Sequence, residues 1–328
     1  VGSEMCIRDS STGGRVLTGQ DLTRMPVEAL ETVVEEVPVY ARVSPEHKLK
    51  IVQALQDRGH IVAMTGDGVN DAPALKKADI GVAMGITGTD VSKEAADMVL
   101  LDDNFATMVA AVEEGRVIYD NIRKFIKYTL TSNSGEIWVM LMAPFLGMPL
   151  PLLPLQILFL NLVTDVFPAF ALGTIAADRN VLARPPKPPD EPILNKSQWL
   201  TIVVGGSVIA ATTLSSMALA IYVLGLRGDA ITTMCFFTLA LAQLWHVFNM
   251  RNWRDGLVLN QITRNTYVWL AIALCLMILT IAALQPEIAG ALRLTPLPGK
   301  AWVAVIALSL IPVLVREMIA AGKRHKNT

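Results

Sequence analysis

The chain has 328 residues and a formal net charge of -1, which excludes the strongly basic surface typical of nucleic-acid-binding proteins. Hydrophobic residues make up 52% of it, and its mean hydropathy of +0.46 is too high for an ordinary soluble protein. The apolar residues are unevenly distributed, because residues 1–120 have a soluble composition and long apolar runs begin near Phe125. This contrast predicts two regions, one in water and one in a lipid bilayer.

Residues 1–10 show no hydrophobic periodicity and lack the apolar core of a signal peptide. We expect this segment to be an artefact of the gene sequence. The soluble region then covers residues 11–120 and the membrane region covers residues 121–328.

The soluble region shows the pattern of an α/β fold. Ser44 followed by Pro45 is typical of a helix start, and the apolar spacing predicts a helix as far as Arg58. Short apolar runs at residues 61–64, 80–84 and 98–101 predict buried parallel strands, with a helix between the first two. This order predicts part of a doubly wound, Rossmann-like sheet, whose functional groups lie at the carboxyl ends of the strands.

Six apolar stretches are long enough to cross a bilayer as helices, which predicts an all-α membrane bundle. Most Lys and Arg residues of the connecting loops fall on one side, which places residues 1–120 and the C-terminus in the cytoplasm. The composition suggests a bacterial plasma membrane. The six predicted spans are residues 125–146, 152–173, 199–224, 231–249, 267–285 and 301–320.

The most specific string of the soluble region follows its first predicted central strand. It begins at Thr65, Gly66, Asp67 and Gly68 and continues through Asn70 and Asp71. A glycine-rich loop after a strand brings backbone amides close to a phosphate, and two carboxylates four residues apart suit Mg²⁺. Lys48, on the preceding helix, is placed to neutralise a transferred phosphoryl group. An ordinary turn rich in Gly, Asp and Asn is the alternative.

Polar residues interrupt the first two predicted spans. A carboxylate at the centre of a membrane helix costs about 2.5–3.5 kcal/mol, so such residues are rarely incidental. Their oxygen atoms suit a hard cation such as Ca²⁺, and Pro151, Pro154 and Pro168 are expected to kink the second span and free backbone groups. An interhelical hydrogen-bond cluster and a proton relay remain alternatives. The candidate ligands are Asn133, Glu136, Asn161, Thr164 and Asp165.

These strings together resemble the P-type ATPases of the haloacid-dehalogenase superfamily, and most closely the sarco/endoplasmic-reticulum-type calcium pumps and their bacterial relatives. Further matching segments are residues 41–48, 79–85 and 102–105. The resemblance implies that Asp67 binds Mg²⁺ beside Asp71, that Asn70 contacts the phosphate, and that Lys48 stabilises its charge. It also implies that the polar residues of the spans bind the exported cation, with Ca²⁺ preferred over Mn²⁺, Mg²⁺ or a monovalent ion.

Several features of that family are not found in this sequence. The phosphorylated aspartate of the family lies in a DKTGT string, which does not occur here, and neither do the motifs of the ATP-binding and actuator domains. We therefore expect the chain to act with an N-terminal half of the same pump and to hydrolyse no ATP alone. A passive membrane protein, a membrane-anchored phosphatase and an incomplete gene product are the alternatives.

The fourth predicted span departs from the two-ion calcium pumps. It contains Gln243 and no acid, so we expect a single transported ion per cycle. Arg251 is interpreted either as an internal cation in the vacated site or as an anchor at the end of its helix. His246 is interpreted as a packed histidine rather than a ligand.

Overall fold

The computed structural model describes residues 15–176, 181–184, 187, 191–252, 255–256, 258 and 260–326, with side chains as far as residue 322. The prediction for residues 1–10 lies outside this part of the chain. Two compact units divide at Val112 and Glu113, whereas the sequence predicts the boundary at residues 120 and 121. That predicted boundary, which rests on composition, stays a prediction.

The first unit is built from short strands and helices. The described strands form two parallel sheets, β1–β2 and β3–β4–β5. The parallel α/β pattern is therefore confirmed. The elements are β1 Val16–Thr18, α1 Gly19–Arg24, α2 Val27–Glu31, β2 Val39–Ala41, α3 Pro45–Asp57, β3 Ala63–Gly66, α4 Ala72–Lys77, β4 Ile80–Met84, α5 Asp90–Ala95 and β5 Met98–Leu100.

Local chemistry explains the ends of α3. The Ser44 side chain accepts a hydrogen bond from the His47 amide at 3.4 Å, and Pro45 occupies the first helical turn, as predicted. Gly59, just beyond the helix, has φ +85°, a conformation that favours glycine. Strand β3 begins at Ala63 rather than at the predicted Ile61, which is 51% exposed. The prediction of a buried strand here is wrong, because Ala63 is exposed and the other three residues of β3 are only half-buried.

The second unit is helical. Its last helices are separated at Leu310, two residues before Pro312, which cannot continue the hydrogen-bond ladder. The long helix α6 begins before the unit boundary. The helices are α6 Phe105–Phe145, α7 Pro154–Leu160, α8 Val166–Gly173, α9 Lys196–Ala218, α10 Asp229–His246, α11 Thr266–Leu284, α12 Pro286–Ala291, α13 Gly299–Ser309 and α14 Ile311–Lys326.

Among the described residues, five segments are long and apolar enough to cross a membrane, and each matches a predicted span within a few residues. The first predicted span, 125–146, overlaps α6 as far as Phe145 but is not one of the five. Its polar residues, Asn133 and Glu136 among them, lower its hydropathy. Six spans are therefore not confirmed. The five segments are Pro154–Gly173, Lys196–Val223, Asp229–Met250, Thr266–Leu284 and Gly299–Gly322.

Helix α10 forms the centre of this unit. Most of its side chains are buried, including Met234 and Phe236, and it packs against α9 and α13. Its buried polar residues, Gln243 among them, must therefore find hydrogen-bond partners within the helical bundle. Gln243 is the residue of this kind that matters most for the site described below.

Candidate functional site

The loop after β3 is organised by Asp71. Its Oδ2 atom accepts hydrogen bonds from the backbone amides of Asp67 at 3.3 Å and Gly68 at 3.2 Å. Its Oδ1 atom accepts from the Lys48 ammonium of α3, so the two predicted site residues form an ion pair. Asp71 is only 5% exposed. The buried carboxylate thus fixes the loop at the carboxyl end of β3.

Glycine at position 66 is required by this packing. A Cβ atom on Gly66 would lie 2.4 Å from the Cβ of Asp71, far inside van der Waals contact. Any larger residue would push Asp71 away from the amides that it accepts. The role of Gly66 here is therefore steric.

The charge of Asp71 is set by opposing effects. Burial raises the pKa of its carboxyl group. The hydrogen bonds from Lys48 and from the Gly68 and Asp67 amides lower that pKa by more, so it lies below the ordinary value of 3.8. Because the pKa is lowered in the folded state, the ion pair stabilises the loop fully at pH values above the ordinary pKa of 3.8. This stabilisation is lost as the pH falls through the lowered pKa of the folded state. The loop is therefore held by an ionised carboxylate at neutral pH.

Replacing Asp71 by Ala should release this loop. We expect hydrogen exchange at the Asp67 and Gly68 amides to accelerate about 30-fold, because hydrogen bonds to a charged group contribute about 2 kcal/mol. Mass spectrometry of peptides covering the loop measures this directly. Asp90→Ala, at an exposed helix start, is the control, and equal exchange in both variants would contradict the assignment.

The Mg²⁺ hypothesis fits these residues unequally. The Asp67 side chain is exposed beside the loop amides, as is Asn70, so both are accessible to a ligand. Both oxygens of Asp71 are already engaged, which suits a supporting residue better than a direct ligand. No cluster of three or more His, Cys, Asp or Glu suited to a metal occurs among the described residues. Mg²⁺ needs only one or two protein carboxylates when waters and phosphate oxygens complete its shell, so Asp67 fits.

The second candidate site lies in the helical unit, where Gln243 links two of the predicted ligands. Its Nε2 atom donates to Glu136 Oε1 at 2.9 Å, and its Oε1 atom accepts from Thr164 Oγ1 at 2.8 Å. Glu136 is 5% exposed and both other residues are fully buried. One amide thus holds α6 and the second predicted span together. The sequence alone indicates only that Gln243 lies in a predicted span that contains no acid.

The second predicted span changes its helical form at the site. Residues Asn161–Asp165 form a π-helical turn between α7 and α8. Pro168 has no amide hydrogen, and the Thr164 carbonyl four residues earlier accepts instead from the Tyr128 hydroxyl at 2.7 Å. The Val163 carbonyl accepts from Cys275 Sγ at 3.1 Å. Side chains of neighbouring helices thus donate to both carbonyls, and the predicted release of backbone groups by the prolines stays a prediction.

Several buried oxygens near this turn have no hydrogen-bond partner in the described part of the chain. They are Asp165 Oδ1, Asn161 Oδ1 and Ser132 Oγ, and Asp165 is 6% exposed. Asn161 and Asp165 line a cleft of about 580 Å³ together with Asn133. Unsatisfied buried acceptors carry a large desolvation cost, which a bound cation would offset.

The structure thus divides the predicted ligands into two groups. Asn133, Asn161 and Asp165 face the cleft, whereas Glu136 and Thr164 are joined through Gln243. A glutamine on a helix with apolar residues on every side was the signal that could have revealed this link, because such a side chain needs buried partners.

Arg251 lies elsewhere. It forms an ion pair with Glu317 and donates to the Phe248 carbonyl at 2.8 Å, and it does not line the cleft of Asp165. This favours the interpretation as a residue at the end of its helix. His246 stacks on Tyr128 with ring centroids 6.1 Å apart and contacts Asn249 at 3.0 Å, as expected for a packed histidine.

Each of the two candidate sites lies at least partly in a segment that matches a known protein family. The family model described as "Cation transporting ATPase, C-terminus" matches residues 149–321, and the model of haloacid dehalogenase-like hydrolases matches residues 16–79. These matches cover the second unit from the end of α6 onward and much of the first unit. The Asp67 loop and the Asp165 turn each fall within a matched segment.

Relatives give the same result. A calcium-transporting ATPase of Bacillus subtilis is 46% identical over 92% of this chain and 34% of its own length. Calcium-transporting ATPase 1 of Bacillus cereus is 40% identical over 94% of the chain and 36% of the relative. A P-type sodium-transporting ATPase4 of Toxoplasma gondii is 53% identical over 60% of the chain and 15% of the relative. The chain spans about a third of the length of the first two. The chain belongs to the family of P-type cation-transporting ATPases.

Proposed function

We propose that this chain is the C-terminal part of an ATP-driven pump that exports Ca²⁺ from the cytosol through an aspartyl-phosphate cycle. The observation that carries the proposal is the set of buried oxygens of Asp165 and Asn161 that lack a partner among the described residues and line one cleft. Relatives named calcium-transporting ATPases support the choice of ion.

The loop of the first unit would serve the phosphate chemistry. Asp67 would hold Mg²⁺, which supplies charge neutralisation at a transferred phosphoryl group. Asp71 keeps the Asp67 and Gly68 amides in place, and Lys48 is held beside the loop by its ion pair with Asp71. Asn70 and Thr65 border the same loop and would contact the phosphate. ATP would bind to a part of the pump outside this chain.

The membrane site would hold one divalent cation. Glu136 and Asp165 supply two negative charges, and the neutral amide of Gln243 adds none. The carbonyl oxygens of Asn133 and Asn161 suit a hard cation such as Ca²⁺. The cleft beside Asn133, Asn161 and Asp165 would admit a further helix of the pump, which would complete the ligand set.

A chimera tests the proposal. The C-terminal third of the Bacillus subtilis relative is replaced by this chain, and ATP-driven ⁴⁵Ca²⁺ uptake into inverted membrane vesicles is measured. We expect uptake of Ca²⁺ with an excess of Na⁺ causing no competition. Transport of Na⁺ in place of Ca²⁺ would favour the runner-up, a monovalent pump, which the similarity to a sodium-transporting ATPase motivates.

We further propose a multi-pass protein of the plasma membrane, with six spans and with residues 1–120 and the C-terminus in the cytosol. Five of these spans correspond to apolar helices of sufficient length. A cysteine replacing Arg227, in the exposed segment between α9 and α10, should react with an impermeant maleimide added outside cells. A cysteine replacing Lys196 should not, and the reverse pattern would invert the topology.

A further inference from the structure

A second pocket of the helical unit has a strongly positive lining. Its volume is about 300 Å³, and it shares only Asn121 with the cleft of Asp165. A single carboxylate, Asp120, lines it. The cationic side chains that line it are Arg123, Lys124, Lys127, Arg184, Arg251 and Arg316.

The walls of this pocket are fixed by hydrogen bonds. Arg116 donates to the carbonyl of Val181 at 2.9 Å and to that of Arg184 at 2.8 Å, which fastens residues 181–184 to α6. Asn121 donates from Nδ2 to the Ile175 carbonyl at 2.8 Å, and its oxygen accepts from Lys124 Nζ at 3.1 Å. The pocket is therefore preformed.

Its charges are only partly balanced. Asp120 pairs with Arg184 at 2.8 Å and with Lys187 at 3.4 Å, and Glu317 pairs with Arg251. Within the described part of the chain, the side chains of Arg123, Lys127 and Arg316 form no salt bridge and no hydrogen bond, although Arg123 lies over the Tyr119 ring at 5.8 Å from its centroid. The Nε atoms of Arg123 and Arg251 are buried without a hydrogen-bond partner among the same residues. Like charges held this close together repel each other, so an anion would stabilise the pocket.

The position of the pocket indicates the kind of anion. Gln198, in the first turn of one apolar span, and Arg251, directly after another, both line it, so it lies at the level where the spans end. The paired N–H groups of an Arg guanidinium bind phosphate oxygens well. Basic pockets between membrane helices bind lipid headgroups. We propose that this pocket binds the phosphate group of an anionic lipid. This site is independent of the transported cation.

Lipid retention by the purified chain tests the proposal. The chain is delipidated in detergent, supplied with phosphatidylglycerol or phosphatidylcholine, and examined by native mass spectrometry. We expect phosphatidylglycerol to bind at least tenfold more tightly, and the triple variant Arg123→Gln, Lys127→Gln, Arg316→Gln to lose about fivefold in affinity per charge removed. Lys196→Gln, which removes an exposed charge outside the pocket, is the matched control.

Further variants and a competitor keep the test decisive. Lys127→Arg keeps the charge and should bind like the unmodified chain, whereas Lys127→Gln alone should bind about fivefold more weakly, so the comparison survives if the triple variant fails to fold. Millimolar inorganic phosphate should leave phosphatidylglycerol bound, and complete displacement would assign the pocket to free phosphate instead of a lipid. Equal retention of both lipids, or equal losses in Lys196→Gln and Lys127→Gln, would overturn the proposal.

Discussion

Replacing Asp165 by Asn in the chimera is expected to reduce ATP-driven Ca²⁺ uptake about 100-fold or more. Asp165 is almost fully buried and its Oδ1 atom lacks a hydrogen-bond partner within the described residues, so its charge is available to a cation. Removing one partner of a buried charge pair costs about 3–5 kcal/mol, which is the physical basis of the expected loss. Uptake of ⁴⁵Ca²⁺ at several Ca²⁺ concentrations measures it.

The control for this variant is Asp229→Asn, which removes the same charge at the exposed first turn of α10. It should leave uptake within about twofold of the unmodified chimera, because an exposed charge far from the cleft is screened by water. If Asp165→Asn transported Ca²⁺ as fast as Asp229→Asn, Asp165 would have no role in binding the cation. The hydrogen-bond-cluster interpretation of the polar residues would then be preferred.

Local signals explain what could be predicted from the sequence. The start of α3 at Ser44 and Pro45 depends on neighbouring residues only, and so does the position of Asp67 directly after β3. The apolar spans follow from composition over about 20 residues, which is why five of them match the structure. The first predicted span is not one of these five, and its polar residues, Asn133 and Glu136 among them, lower its hydropathy.

The remaining features depend on contacts between distant residues. Gln243 reaches Glu136 on another helix, and no local pattern specifies that pairing. The π-helical turn Asn161–Asp165 is stabilised by donors from Tyr128 and Cys275, which lie in two further helices. Pro168 predicts a carbonyl without its usual helical donor. The packing of the bundle determines which side chain donates a hydrogen bond to that carbonyl. Tertiary hydrogen bonds therefore define the geometry of the candidate cation site.

Gln243→Leu is expected to destabilise the helical unit by about 3 kcal/mol, because it leaves the buried Glu136 and Thr164 side chains without their shared partner. The thermal midpoint in detergent, followed by far-ultraviolet circular dichroism, should fall by several degrees. Gln285→Leu, at an exposed helix end, controls for the loss of an amide.

The same comparison separates two roles of Gln243. If Gln243 positions the ligands, Gln243→Leu should also weaken Ca²⁺ uptake by the chimera relative to Gln285→Leu. The reason is that Glu136 loses the hydrogen bond that orients it. Equal thermal midpoints for Gln243→Leu and Gln285→Leu would show that the Gln243 hydrogen bonds do not stabilise the helical unit. A lowered midpoint with unchanged Ca²⁺ affinity would instead restrict Gln243 to packing, and the single-ion site would then rest on Asp165, Asn161 and the cleft alone.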